Sequence, residues 1–102
     1  MSGTNPFDEW ASMGASSDSN DHFDTAISST KASETIVNAG WYKISADVDF
    51  YWAGPGASDI TTTTGQHEWA KDTAVFKAAA ADEIWMITTG SGNCYIDKIK
   101  GY

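Results

Sequence analysis

The chain has no arginine and only one cysteine. Its 102 residues carry six lysines against 14 acidic residues, which gives a formal net charge of −8. A nucleic-acid surface needs clustered cations to neutralise phosphates, and an anionic membrane surface attracts the same kind of cluster. The charge balance therefore argues against nucleic acid and membranes as partners.

Other absences narrow the class of protein further. The single cysteine, Cys94, excludes an intrachain disulfide and a zinc site built from several cysteines. No apolar run approaches the roughly 18 residues of a membrane span, and the N-terminus lacks the basic and apolar stretches of a signal peptide. We therefore expect a protein made and used in a cytoplasm, or in a particle assembled there.

Catalytic motifs are also missing. There is no glycine-rich phosphate loop, no G-x-S-x-G, no H-E-x-x-H and no C-x-x-C. Asp47 with Asp49, or Glu68 with Asp72, could form a glycosidase pair, but such a pair needs a cleft and surface charge is the simpler interpretation. We predict a protein that is not an enzyme and uses no cofactor.

Two further candidates for chemistry are weak. The stretch "DSNDHFD" alternates acidic and polar residues like a calcium loop, but Phe23 stands at the position of the loop's glycine and Ser29 at that of its closing glutamate. A solvated acidic run is favoured, so no metal is predicted. Cys94 could act as a nucleophile with His67, but it alternates with Ile96 as a small core residue does.

The stretch "WYKISADVDFYW", residues 41–52, has apolar residues at every second position from Tyr42 to Trp52. This period predicts a half-buried strand. At about 3.3 Å per residue it would span about 40 Å, twice a usual strand. We therefore predict a bend or break near Ala46–Asp47 that gives two strands with one common inward face.

Residues 1–33 differ from the remainder of the chain because they are acidic and rich in Ser, Thr, Asn and Gly. Such a segment buries too little apolar area to offset its ordering entropy, which predicts an extended or flexible N-terminal arm. Within it, "NPFDEWASM" favours a short helix over residues 5–13, with Phe7 and Trp10 on one face. Either this turn packs on its own domain, or its two aromatics anchor the arm to a partner.

Residues 34–102 are predicted to form one β-domain. Short apolar runs with turn residues about every 8–10 positions indicate roughly eight strands in an all-β sandwich or barrel. "DITTTT" suits an edge strand or a loop, and "DEIWMITT" with "NCYIDKIK" suits a final hairpin. The predicted core consists of Tyr42, Ile44, Val48, Phe50, Trp52, Phe76, Ile84, Met86 and Ile96, with Trp85 and Ile87 on the opposite face.

The polar face of the long alternating stretch carries Trp41 and Tyr51. Exposed aromatics on a strand bind a protein partner or a sugar, and they can equally be covered by an arm. A protein contact is favoured, and a carbohydrate-binding surface of Trp41, Tyr51 and Trp69 is the alternative.

Residues 39–99, from "AGWYKISADVDFYWAG" to "GSGNCYIDKI", resemble small virion proteins of tailed phages. The likeness lies in a Gly-aromatic start, a long alternating strand, a threonine-rich loop, a short strand ending in Phe76, Asp82 before an apolar strand, and a Gly-rich turn at residues 90–92. The resemblance implies a capsid decoration or cement protein with a jelly-roll-like β-sandwich. It would bind the major capsid protein on the outer surface of the virion.

The compact part is small for a domain without disulfides or metals, and a domain of this size is marginally stable alone. We therefore expect self-association, with a trimer favoured and a monomer docked on a capsid subunit as the alternative. The arm is expected to be flexible in the free protein and ordered on the particle. Its acidity predicts a basic landing site.

Overall fold

The structure is a computed structural model that describes residue 16 and residues 18–100. These residues form one turn of 3-10 helix, Ser19–Asp21, and eight strands. The strands are β1 His22–Ser28, β2 Ala32–Thr35, β3 Gly40–Ala46, β4 Phe50–Ala53, β5 Gln66–Glu68, β6 Ala74–Ala78, β7 Glu83–Ile87 and β8 Ser91–Lys98. Within the described residues no helix is long and apolar enough to cross a membrane. The predicted all-β class is confirmed.

The strands form two four-stranded antiparallel sheets, in the orders β1-β8-β3-β6 and β2-β7-β4-β5. The pairing is nested, since β1 pairs with β8, β2 with β7, β3 with β6 and β4 with β5. Pairs between β3 and β8 and between β4 and β7 complete the sheets. Every connection except the one from β4 to β5 therefore crosses from one sheet to the other.

The two sheets share one apolar core. Of the predicted core residues, six are fully buried: Tyr42, Ile44, Phe50, Ile84, Met86 and Ile96. Val48, Trp52 and Phe76 are partly buried and pack against this core. The cluster also contains Ile27, Ala46, Ala78 and Cys94 from the first sheet and Ile36 from the loop after β2. A sandwich of two sheets is thus confirmed.

The predicted break in residues 41–52 is also confirmed. β3 ends at Ala46 and β4 begins at Phe50, and the two strands lie in different sheets. Asp47 Oδ1 accepts the backbone N–H of Asn93 at 2.8 Å, and Asp49 Oδ1 accepts that of Ala70 at 2.8 Å. These carboxylates hold the corner to its neighbours while the apolar face stays inward.

The sandwich begins before residue 34, so the boundary of the predicted arm needs correction. β1 and the first residues of β2 lie within residues 1–33, and the side chain of Ile27 is 2% exposed. The reason is an alternation of Phe23, Thr25 and Ile27 in a strand that pairs with β8; Ile27 belongs to the core and Phe23 packs against it. Residues 1–15, including the predicted helix over 5–13, lie outside the described residues.

The predicted final hairpin is wrong. β7 and β8 belong to different sheets, although only three residues separate them. Buried Thr88 makes the corner, because its N–H donates to Ser28 O at 3.0 Å and its Oγ1 donates to Asp49 O at 2.6 Å. The Gly-Ser-Gly turn residues predict a change of direction, but they do not determine whether the flanking strands pair.

Candidate functional site: an aromatic cluster beside an open sheet edge

β5 forms an edge of the second sheet and pairs only with β4. Tyr51 lies opposite His67, and Phe50 lies opposite Glu68. Because side chains alternate along a strand and Phe50 is buried, Tyr51 and His67 face outward. The short edge strand therefore places two aromatic rings side by side on the outer face.

Tyr51, His67 and Trp69 form an aromatic cluster. The rings of Tyr51 and His67 are stacked, with centroids 4.8 Å apart and planes 24° apart. The indole of Trp69 meets His67 edge-on, with centroids 4.6 Å apart. Trp69 is 62% exposed, the largest exposure among the large apolar side chains of the described residues. The cluster thus offers an apolar surface with a polar ring at its centre.

The loop of residues 54–65 packs against Tyr51 of the aromatic cluster. Ile60 is 4% exposed, and a Cβ placed on Gly65 would lie 2.8 Å from Ile60 Cδ1 and 2.9 Å from Tyr51 Cβ. The loop therefore packs tightly against Tyr51. The threonine run is ordered by its own bonds, since Thr61 N donates to Thr64 Oγ1 at 2.9 Å. Of the two predictions for "DITTTT", the loop is confirmed.

Trp41 and Tyr51 do not share a surface. Trp41 lies on β3, opposite Lys77 of β6, and faces outward from the first sheet. Tyr51 faces outward from the second sheet, because the break between β3 and β4 sends the chain across the sandwich. Both side chains are half-buried. Of the three aromatics in the predicted sugar surface, Tyr51 and Trp69 come together and Trp41 does not.

Beside the cluster runs a groove between the edges of the two sheets. We call it the edge groove; its lining includes Trp52 and Ala53 of β4, the loop residue Pro55, Glu68 of β5, β6 from Ala74 to Lys77, and Asp82 before β7. Its two clefts have volumes of about 500 Å³ and about 190 Å³, and both are bounded by Trp52. Trp52 Nε1 donates to Glu68 Oε2 at 3.2 Å, which fixes this shared wall.

The apolar floor of the edge groove comes from aromatic packing. The rings of Trp52 and Phe76 lie 5.1 Å apart, and those of Phe76 and Tyr42 lie 5.8 Å apart. Tyr42 is fully buried, whereas Trp52 and Phe76 are only partly buried, so the outer part of this aromatic row is open to the groove. β6 also has no neighbour on its outer side in the described structure. The groove therefore combines apolar clefts with free backbone hydrogen-bonding groups.

The side chains considered for catalysis have structural surroundings. Cys94 is fully buried in the core, and burial raises the pKa of its thiol to about 12. His67 lies on the outer face, so the proposed pair of Cys94 and His67 does not form. The acidic corner residues Asp47 and Asp49 accept backbone N–H groups. Among the described residues, no three metal-ligating side chains converge on one point.

A polar cluster lies where the described chain begins. His22 Nδ1 bonds to Asp97 Oδ1 at 2.8 Å, and His22 Nε2 bonds to the carbonyl oxygen of Ser16. The bond to Asp97 raises the pKa of His22, and the carbonyl of Ser16 adds to this effect. Both ring nitrogens have acceptors, so the bonds are complete only when the imidazole is protonated.

Buried Asp21 is also part of this polar cluster. It is 3% exposed, and Asn38 Nδ2 donates to its Oδ1 at 2.8 Å. Burial acts to raise the pKa of Asp21, but hydrogen bonds from Ser16 and Asn38, together with the positive charges of Lys98 and His22, outweigh it, and the pKa is lowered. The stretch that resembles a calcium loop is therefore a network of hydrogen bonds that fastens the start of β1.

Comparisons with protein-family models, with curated proteins and with solved structures found no match to this chain. The predicted arm anchors, Phe7 and Trp10, lie outside the described residues. Sequence reasoning missed His67 as a member of the aromatic cluster. The spacing of His67 and Trp69 at i and i+2 was its only signal, since it places both side chains on one face of a strand.

Proposed function

We propose that this chain is a structural virion protein, which decorates and stabilises the outer surface of a tailed-phage head without catalysing a reaction. Its partner is the major capsid protein. The observation that carries the proposal is the nested strand pairing, and the shape and charge of the surface add to it.

The strand orders β1-β8-β3-β6 and β2-β7-β4-β5 support a jelly roll. A long antiparallel hairpin with pairs β1–β8, β2–β7, β3–β6 and β4–β5 yields these two orders when it is wrapped into two sheets. Viral capsid proteins and lectins are prominent users of this architecture. The fold is therefore compatible with the sequence resemblance over residues 39–99.

The surface supports a binding role. Trp69 is exposed at a sheet edge, and the edge groove leaves Trp52 and Phe76 partly uncovered. Apolar patches of this kind on a small domain mark contact sites for other proteins. The formal charge of −8 favours a basic landing site on the capsid.

The test is co-sedimentation of the protein with heads of the phage that encodes it. We expect saturable binding, heads that melt at a higher temperature, and binding that weakens with added salt because opposite charges are screened. Trp69→Ala should weaken binding, whereas Tyr95→Ala, an aromatic on the other sheet, serves as the matched control. Heads that neither bind the protein nor gain stability would refute the proposal.

A carbohydrate-binding module is the second candidate, and the aromatic cluster favours it. Sugar rings stack on exposed aromatic faces, and Trp69 and Tyr51 lie on one surface with His67 between them. Trp41 is not part of this site. A glycan array, followed by titration of any bound glycan with tryptophan fluorescence as the signal, separates the candidates. Glycan binding that Trp69→Ala removes, in a protein that does not bind heads, supports the module.

A further inference from the structure

We propose that the edge groove of one copy binds residues 5–13 of a second copy. This inference deepens the self-association expected of the proposed virion protein. It is tested on the isolated protein, so its failure would leave binding to phage heads unaffected.

The edge groove has the form of a receptor for two adjacent aromatic side chains. Its two clefts lie on either side of Trp52, one against Ala74 and Val75 and the other against Phe76. Trp52 is held by its bond to Glu68, so the wall between the clefts is fixed in advance. A ligand with two apolar rings close together can fill both clefts at once.

Residues 5–13 carry two such rings. Phe7 and Trp10 are three positions apart, and on the predicted helical turn their Cβ atoms lie about 5–6 Å apart. Asp8 and Glu9 stand between them. Lys77 at the rim of the groove is exposed, but Glu68 and Asp82 also line the groove, so charge does not favour the segment. The match between the segment and the groove lies in two apolar rings and two apolar clefts.

The position of Ser16 favours a second copy over the same chain. Ser16 N donates to Lys98 O at 3.1 Å, near the start of β1, and β6 is the opposite edge of that sheet. Trp10 can reach about 20 Å from Ser16 when the chain is fully extended. Passing beyond β6 takes four strand spacings, about 19 Å, with nothing left to round the end of the sandwich.

A donor segment at one edge and a receptor groove at the other give a head-to-tail interface. Such interfaces close into rings when the rotation allows it, and a ring is compatible with the expected trimer. A neighbour that presents its β6 edge beside β1 brings the groove within reach of the segment. Neither copy then has to wrap its arm around its own sandwich.

The experiment measures molar mass by light scattering. The full chain should associate, with a molar mass of at least twice the 11.0 kDa of one copy. The arm variant Phe7→Ala with Trp10→Ala should be a monomer, and so should the groove variant Val75→Glu, which puts a charge in the larger cleft. Tyr95→Ala, on the outer face of the first sheet, should associate like the native chain.

Mixing the two variants tests whether the arm of one copy binds the groove of another copy. The arm variant keeps an intact groove and the groove variant keeps an intact arm, so we expect the mixture to form a one-to-one dimer. A monomeric native chain, an associating arm variant or a mixture that stays monomeric would overturn the inference. If Val75→Glu does not fold, by circular dichroism, Lys77→Glu replaces it, because that side chain is exposed.

Discussion

At the scale of single residues, the carboxylates that were considered for catalysis stabilise the fold instead. Asp47 and Asp49 hold backbone N–H groups at the corner between β3 and β4. Glu68 holds the indole of Trp52. These hydrogen bonds stabilise the fold, since a typical intramolecular hydrogen bond contributes about 0.5–1.5 kcal/mol net.

Cys94 should be inert to thiol reagents in the folded protein. It is fully buried and the pKa of its thiol is about 12, so almost no thiolate exists near neutral pH. We expect its reaction with a disulfide reagent to follow the rate of unfolding and to become fast in urea. Rapid reaction under native conditions, at the rate of an exposed thiol, would contradict the burial of Cys94.

His22 should make stability depend on pH. Its folded pKa is raised above the ordinary value of 6.5, first by Asp97 and then by the carbonyl of Ser16. A raised folded pKa adds stability that is complete below the unfolded pKa and is lost as pH rises through the folded pKa. The melting temperature should therefore fall as the pH increases from about 6.5 upward, in the range where histidine titrates.

The variant His22→Gln isolates this effect. Glutamine still donates a hydrogen bond to Asp97 but does not titrate, so the fall in melting temperature above about pH 6.5 should become smaller. Equal pH profiles for the native chain and the variant would show that the bonds of His22 do not contribute to stability.

At the scale of elements, the alternation of apolar and polar residues predicts strands correctly where the alternating run is long. Residues 41–52 predicted two strands with a common inward face, and β3 and β4 have this arrangement. β1 has the same alternation at Phe23, Thr25 and Ile27, but its acidic and serine-rich surroundings favoured an arm. Whether a short amphipathic run becomes a strand depends on a partner strand, here β8, that lies far away in sequence.

Gly90, in the turn before β8, and Gly92, the second residue of β8, provide a test at this scale. A Cβ on Gly92 would lie 2.4 Å from Asp47 Oδ1 and 2.7 Å from Val48 Cγ2, whereas a Cβ on Gly90 would meet nothing within 4 Å. Gly92→Ala should therefore destabilise the protein by about 1–3 kcal/mol through overpacking at the corner. Gly90→Ala, the matched control, should change the free energy of unfolding by less than about 0.5 kcal/mol in a urea titration.

Equal stability of the two glycine variants would mean that the corner at Asp47 and Val48 yields without cost. A larger loss for Gly90→Ala would contradict the packing of the turn altogether. Because both substitutions replace a glycine by alanine at positions only two residues apart, their effects on the unfolded chain are alike. The difference between them thus reports the contact with Asp47 and Val48.

At the scale of the whole molecule, composition and period predicted the sandwich and most of its core, but not the order of its strands. The predicted count of about eight strands agrees with the structure, although it includes β1, a predicted part of the arm, while "DITTTT", predicted as an edge strand or a loop, is a loop. The sequence indicates which faces are apolar, and it does not state which strands become neighbours. The aromatic cluster shows the same limit, since Tyr51 and His67 meet only through the pairing of β4 with β5.

The nested pairing makes β8 decisive for folding. β8 lies between β1 and β3 and contributes Cys94 and Ile96 to the core, with Ile99 buried just beyond it. Burying each of the two isoleucines contributes about 1.5–3 kcal/mol, against a total stability of about 5–15 kcal/mol for a domain.

A chain that ends at residue 90 should therefore be unfolded by circular dichroism. Deletion of residues 1–14, by contrast, leaves all eight described strands in the chain and should keep the β signal. Among the described strands, only β4 and β5 are consecutive in sequence and paired, so most native contacts close long loops and folding should take milliseconds to seconds. A cooperative melting transition in the chain that ends at residue 90 would show that the second sheet is stable without β8, and would contradict this account of the fold.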